Sequence, residues 1–159
     1  MIIKQIYTFN NYRNFNYLIG CPITREAVAI DPLASDLCLA EAVKEGLNIV
    51  AVINTHEHMD HIGGNEAIIN ATNSKLYAHK NAKHKIPNMN YGLEAGQLLK
   101  FGKSIEIKIL DTPGHTMSHV CLLLRGEQNS LFCGDTLFNA GVGNCHHGGD
   151  PISLYNTVY

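Results

Sequence analysis

The stretch NTHEHMDHIGG, Asn54 to Gly64, restricts what this chain can fold into more than any other segment. It places His56, Glu57, His58, Asp60 and His61 in one short window, directly after NIVAVIN (Asn48 to Asn54). That preceding run is nearly continuous in β-branched residues, the mark of a strand buried on both faces. Metal-binding groups sit well where such a strand ends, because the scaffold fixes them while the loop leaves them accessible. His56 and His58 are two positions apart and project to the same side of a strand end, so both can reach one ion at about 2.0–2.1 Å. Asp60 and His61 follow where a helix starts and are placed to serve an adjacent ion. Glu57 points the other way and takes no catalytic role.

The metalloprotease helix motif HExxH is excluded, because Asp60 stands where the second histidine belongs. Imidazole-rich ligation suits zinc, with iron and manganese also open. Further ligands are expected at other strand ends. In IKILDTPGHT a strand runs into a Pro-Gly turn that starts at Asp111 and delivers His115. In SLFCGDTLF a strand and a glycine are followed by Asp135. Both positions favour convergence on one sheet edge.

The rest of the chain supplies short apolar strands alternating with amphipathic segments, which predicts α/β layers with mixed sheets. IIKQIYTF, NFNYLIG and EAVAID open the set, and KLYAH, QLLKF, SIEIKIL, SHVCLLLR and SLFCG continue it. Helices are predicted over Ala34 to Gly46, which ends on a capping glycine, over GNEAIINAT, and from Asp150, an N-cap residue before Pro151. With 159 residues, 45% hydrophobic and 16% charged, one domain over residues 1–159 is expected. A net charge of -2 with no basic run argues against a nucleic-acid or membrane surface. The N-terminus lacks the apolar stretch of a signal peptide, and the dispersed cysteines read as reduced, mostly buried thiols; both point to the cytoplasm. His79 and His84 lie in the Lys-rich AHKNAKHK and read as a solvated face. His119 opens an apolar strand and reads equally as a structural histidine or as one supporting the metal ligands. Cys133 reads as a buried strand residue, and the tyrosines and phenylalanines read as core.

THEHMDHIGGN, LDTPGHTMSH and LFCGDTLFNAGVG, in this order, resemble the metallo-β-lactamase superfamily, and within it the glyoxalase II (hydroxyacylglutathione hydrolase) branch. The resemblance runs from NFNYLI to the end of the chain. It implies an αββα sandwich with two divalent metal ions at the edge of its sheets. By motif position His56, His58 and His115 would hold the first, Asp60 and His61 the second, and Asp135 would bridge them. The implied activity is hydrolysis of a small-molecule thioester by a metal-activated hydroxide, with Asp60 orienting that hydroxide. A thiolate leaving group, with a pKa of roughly 8.5, needs no strong general acid.

The resemblance breaks in two places. The family's further histidine for the second metal has no counterpart after Asp135, and the helical domain that helps to hold glutathione is absent, so the domain is expected to be incomplete at its C-terminal end, with an open sheet edge through which it self-associates. In the loop GVGNCHHGGD, where the family typically binds glutathione with a lysine and aromatic residues, this chain has Asn144, His146 and His147 as candidate substrate contacts. Rival readings are a mononuclear iron persulfide dioxygenase, a nuclease of the same superfamily, disfavoured by the charge, and an inactive metal-binding fragment.

Overall fold

Two sheets gather the apolar strands, and their shared interior is what brings distant loops to one edge. The computed structural model describes residues 1–159. The larger sheet contains β1 (Ile2–Tyr7), β2 (Phe15–Gly20), β3 (Glu26–Ile30), β4 (Asn48–Ile53), β5 (Lys75–His79) and β6 (Tyr91–Leu93), in that spatial order. Its first three strands are antiparallel, and β3 to β6 are parallel. The smaller sheet contains β7 (Leu98–Phe101), β8 (Ile105–Asp111), β9 (Val120–Arg125) and β10 (Ser130–Phe132), in the order β10-β9-β8-β7. It is antiparallel throughout, so only the larger sheet is mixed. The helices are α1 (Ser35–Lys44), α2 (Met59–Ile62), α3 (Asn65–Thr72) and α4 (Pro151–Val158).

The sheets pack face to face. Ile19, Val28, Ile30, Ala51 and Ile53 of the larger sheet meet Ile107, Ile109, Val120, Leu122 and Leu124 of the smaller one. The far face of the larger sheet, including Leu18, Ala29, Val52 and Leu76, is covered by Cys38 and Ala42 of α1 and Ile68 of α3. β4 is buried on both faces, as its β-branched run predicts. Its register against β3 shifts between Ala27 and Val28, where Val50 is the extra residue. That shift puts Ile49 and Val52 on the helix side, and Ala51 and Ile53 between the sheets. β8 shows the other pattern: Ile105, Ile107 and Ile109 point inward, while Glu106 and Lys108 point outward.

Local signals set the helix ends. At the end of α1 the Leu47 N–H reaches the Ala42 carbonyl and the Gly46 N–H reaches Val43, with Gly46 at φ 62°. This is the left-handed termination that glycine permits. At the start of α4 the Asp150 carboxylate accepts the Ser153 N–H at 2.7 Å, and Pro151 occupies the first turn.

Four expectations change. His79 is buried, not solvated: it ends β5, an interior strand, with Nδ1 accepting the Asn81 N–H at 3.2 Å and Nε2 lying 3.4 Å from Asp111. His84 is exposed, as expected. Asp111 is the last residue of β8, paired with Val120. Tyr91–Leu93 forms a short strand too brief to show periodicity in the sequence. The aromatic set divides: Phe132 is core, whereas Phe9 and Tyr12 on the β1–β2 hairpin are 81% and 79% exposed. No helix is long and apolar enough to cross a membrane.

Candidate metal centre

The candidate ligands leave the scaffold at strand ends. His56 and His58 follow β4, Asp60 and His61 lie on α2, His115 lies between β8 and β9, and Asp135 follows β10. The first group therefore comes from the larger sheet, and His115 and Asp135 from the smaller.

Two clusters form. His56, His58 and His115 offer ligand atoms that lie within 4.8 Å of one another, as do those of His56, His61 and Asp135. His58 Nδ1 lies 3.1 Å from His56 Nε2 and 3.0 Å from His115 Nε2. The clusters share His56. Asp135 faces both: Oδ1 is 3.2 Å from His61 Nε2, and Oδ2 is 3.4 Å from His115 Nε2.

The outer nitrogen of each imidazole has an oxygen partner, which orients the ring and turns the inner nitrogen toward the cluster. His56 Nδ1 lies 3.0 Å from the Thr55 hydroxyl, which itself donates to Asp31 at 2.7 Å. His58 Nε2 faces the His147 carbonyl at 3.1 Å, and His115 Nδ1 faces the Asn144 carbonyl at 2.5 Å. His61 Nδ1 is 3.0 Å from Asp31 Oδ2, the same oxygen that accepts the Thr55 hydroxyl, while Oδ1 accepts the Thr55 N–H at 2.8 Å. Imidazole nitrogens this close, each oriented from behind and joined by a carboxylate, are a donor set that fits divalent cations.

The electrostatics agree. Burial, reinforced by the neighbouring histidines, pushes the His56 pKa well below its ordinary value, so it is neutral and able to ligate. Burial likewise lowers His115, even though the Asn144 carbonyl and Asp135 oppose it. For His61 burial also disfavours the charge, but Asp31 and Asp135 outweigh it and raise the pKa to about 10. The space between those two carboxylates thus stabilises positive charge. Burial works against the Asp135 carboxylate, yet His61 holds its pKa below the usual range.

The structure does not bring Asp60 into either cluster. Its Oδ2 accepts the Asn14 amide at 3.0 Å and lies 3.7 Å from His61 Nε2. Asn144 and His147 reach the site through backbone carbonyls, while His146 is exposed on the same loop. Sequence reasoning missed three supporting residues. Asp31 is buried at φ 46° and carries Thr55 and His61 together. Asn16, fully buried, bonds the Asp31 carbonyl through its amide nitrogen and accepts the Ala34 N–H at 2.8 Å. Asn14 reaches in from the β1–β2 hairpin. The one available signal was Asp31 at a strand end before Pro32, the same placement that marked His115 and Asp135. His119 takes the supporting role: it is fully buried, Nδ1 lies 2.9 Å from the Thr112 hydroxyl, and Nε2 accepts the Asp135 N–H at 3.3 Å.

A sandwich of two sheets with a histidine-rich, two-cluster site at one edge defines a class of metal-binding proteins, and the comparisons name it. The Metallo-beta-lactamase superfamily model matches residues 19–157, and the chain belongs to that superfamily. Among curated relatives it is 59% identical over 157 residues to a hydroxyacylglutathione hydrolase of Nitrosococcus oceani and 56% identical to one of a Polaromonas species. Each match covers 99% of this chain and 60% of the relative, so the chain spans about three-fifths of their length. Among solved structures, ETHE1 from Myxococcus xanthus aligns with a TM-score of 0.88 at 30% identity, covering 99% of this chain and 68% of that one. A metallo-beta-lactamase from Staphylococcus aureus aligns with a TM-score of 0.82 at 27% identity, covering 99% and 51%.

Proposed function

We propose that residues 1–159 form one metallo-hydrolase domain of the hydroxyacylglutathione hydrolase type, acting on a thioester of a small acylated thiol. The observation that carries this reading is the pair of clusters that share His56 and are both faced by Asp135. The relatives' name supports the substrate class. In this reading His56, His58 and His115 hold one ion, and His61 and Asp135, with His56 at their side, hold a second. Zinc is the ion that the donor set favours.

When bound, a pair of divalent ions lowers the pKa of water toward 7 and offers positive charge to a developing oxyanion. The protein's own contribution is orientation. Thr55 and Asp31 hold the His56 and His61 rings, and the Asn144 and His147 carbonyls hold His115 and His58. Asp60, with one oxygen taken by Asn14, keeps the other free to orient the attacking water. The departing thiolate is stable enough to leave without a proton donor. Asn144 and His146 also line a groove of about 490 Å³ bounded by Val142, Leu154 and Tyr155. There we place the non-reacting part of the substrate.

Metal content per chain, measured by elemental analysis on protein purified without chelator, and loss of the thioester of S-lactoylglutathione test this together. Two equivalents of metal with hydrolysis are expected. Two equivalents without hydrolysis of any acylated thiol would overturn the hydrolase reading. Iron with oxygen consumption on a glutathione persulfide would transfer the chain to the dioxygenase reading.

A further inference from the structure

Glu57 stands between two candidate ligands, yet its carboxylate turns away from both clusters. Its side chain is only 6% exposed. Desolvating a carboxylate is costly unless its oxygens are partnered, and here both are. Oε1 accepts the Lys85 ammonium at 2.6 Å, and Oε2 accepts the Thr116 hydroxyl at 3.0 Å. Lys85 itself is half exposed, so the buried member of the pair is the one attached to the metal loop.

The placement of the three partners makes the arrangement more than an ion pair. Glu57 is covalently next to His56 and His58. Thr116, fully buried, is next to His115. The Glu57–Thr116 bond therefore ties together the backbone neighbours of all three histidines of the first cluster, and it crosses from the loop after β4 to the loop after β8, that is, from one sheet to the other. Lys85 adds a third anchor from the segment beyond β5. A backbone bond from the Val120 N–H to the Thr55 carbonyl at 2.8 Å also joins the loop after β4 to the start of β9.

We infer that Glu57 is a positioning residue: a strut, through Thr116 and Lys85, that sets the spacing of His56 and His58 against His115 and thereby the affinity of that cluster for its metal. The inference rests on the metal-binding part of the proposed function and not on the substrate.

Zinc affinity of the chain, measured by competition with a chromogenic chelator, tests it alongside the thermal midpoint of the metal-free protein. Glu57→Ala is expected to weaken the first zinc about 10–100-fold, the range for residues that orient ligands. Thr116→Val is expected to weaken it in the same direction. The double variant should lose less than the product of the two factors, since both residues act through one bond. Glu57→Gln keeps an acceptor for Thr116 and is expected to recover part of the loss. A folded Glu57→Ala protein with zinc affinity within about threefold of the parent would overturn the inference, and so would fully independent effects of the two substitutions. If Glu57→Ala does not fold, Thr116→Val, which keeps the volume, decides by the same threshold. Hydrolysis enters none of these readouts. A parent chain that binds zinc but hydrolyses nothing counts against the proposed function alone, and unchanged affinity in the variants counts against the strut alone.

Discussion

The Asp31 carboxylate lies 3.0 Å from Nδ1 of His61, behind the candidate metal ligands and not among them. Through the Thr55 hydroxyl the same carboxylate reaches His56, so one buried side chain orients a ring in each cluster. Asp31→Asn keeps the size but offers one acceptor oxygen in place of two. It is expected to weaken zinc binding about 10–100-fold, read by chelator competition. Unchanged affinity would show that the rings are held by packing alone.

Metal uptake should release a proton. His61 has a pKa raised to about 10, so it carries a proton throughout the neutral range, and a ligating imidazole must lose it. Affinity at the His61 cluster is therefore expected to rise about tenfold per pH unit across that range, as displacement of a single proton requires. Calorimetric titration in buffers of different ionisation enthalpy measures the released proton directly. A buffer-independent heat would contradict the expectation.

Acid should destabilise the metal-free protein before its carboxylates titrate. Burial lowers the His119 pKa to about 4, against an unfolded value of about 6.5. A depressed pKa of this kind contributes stability that is complete above the unfolded value and is lost as pH falls toward the folded one. The thermal midpoint of chelator-treated protein is expected to fall between about pH 6.5 and 4. His119→Gln, which cannot take up the proton, should flatten part of that fall, and His56 and His115, whose pKa values burial also lowers, contribute to what remains.

Gly134 cannot be replaced without moving the site. Its φ is 47°, and a Cβ there would stand 2.5 Å from the Thr55 hydroxyl and 2.8 Å from His119 Nε2. Gly134→Ala is expected to cost about 1–3 kcal/mol in stability, seen in denaturant unfolding. It should also weaken metal binding, because Thr55 and His119 support His56 and Asp135.

Association is expected through exposed apolar surface. Leu131 on the edge strand β10 is 46% exposed, and Ile152, Tyr155 and Tyr159 are more exposed still. Light scattering should show a mass that rises with concentration. A single monomer mass across the accessible range would remove the expectation.

Much of the candidate site was legible because its candidate ligands obey local rules. Strand-end histidines two apart, a Pro-Gly turn before His115 and a glycine before Asp135 each give a local reason for their position. Asp60 was legible as part of the same motif, yet its carboxylate is turned toward Asn14, a contact between residues 46 positions apart that no local pattern encodes. His79 was misread because its lysine neighbours lie on the surface turn, while its own burial depends on β6 pairing alongside β5. The roles of the 144–147 loop were legible only as proximity. Its effective groups are backbone carbonyls, which every residue type possesses.

By itself the sequence determined the strand before the metal loop, the side on which His56 and His58 project, and the helix that carries His61, because each follows from residues that touch within a few positions. Tertiary structure alone decided that His115, 57 residues from His58, meets it at 3.0 Å, and that Asp31 stands behind two rings at once. Those contacts cross between strands and between sheets. They exist only when Ile53, Ile109 and Val120 close over a common core, and the side chains that create that closure are not the ones that do the chemistry.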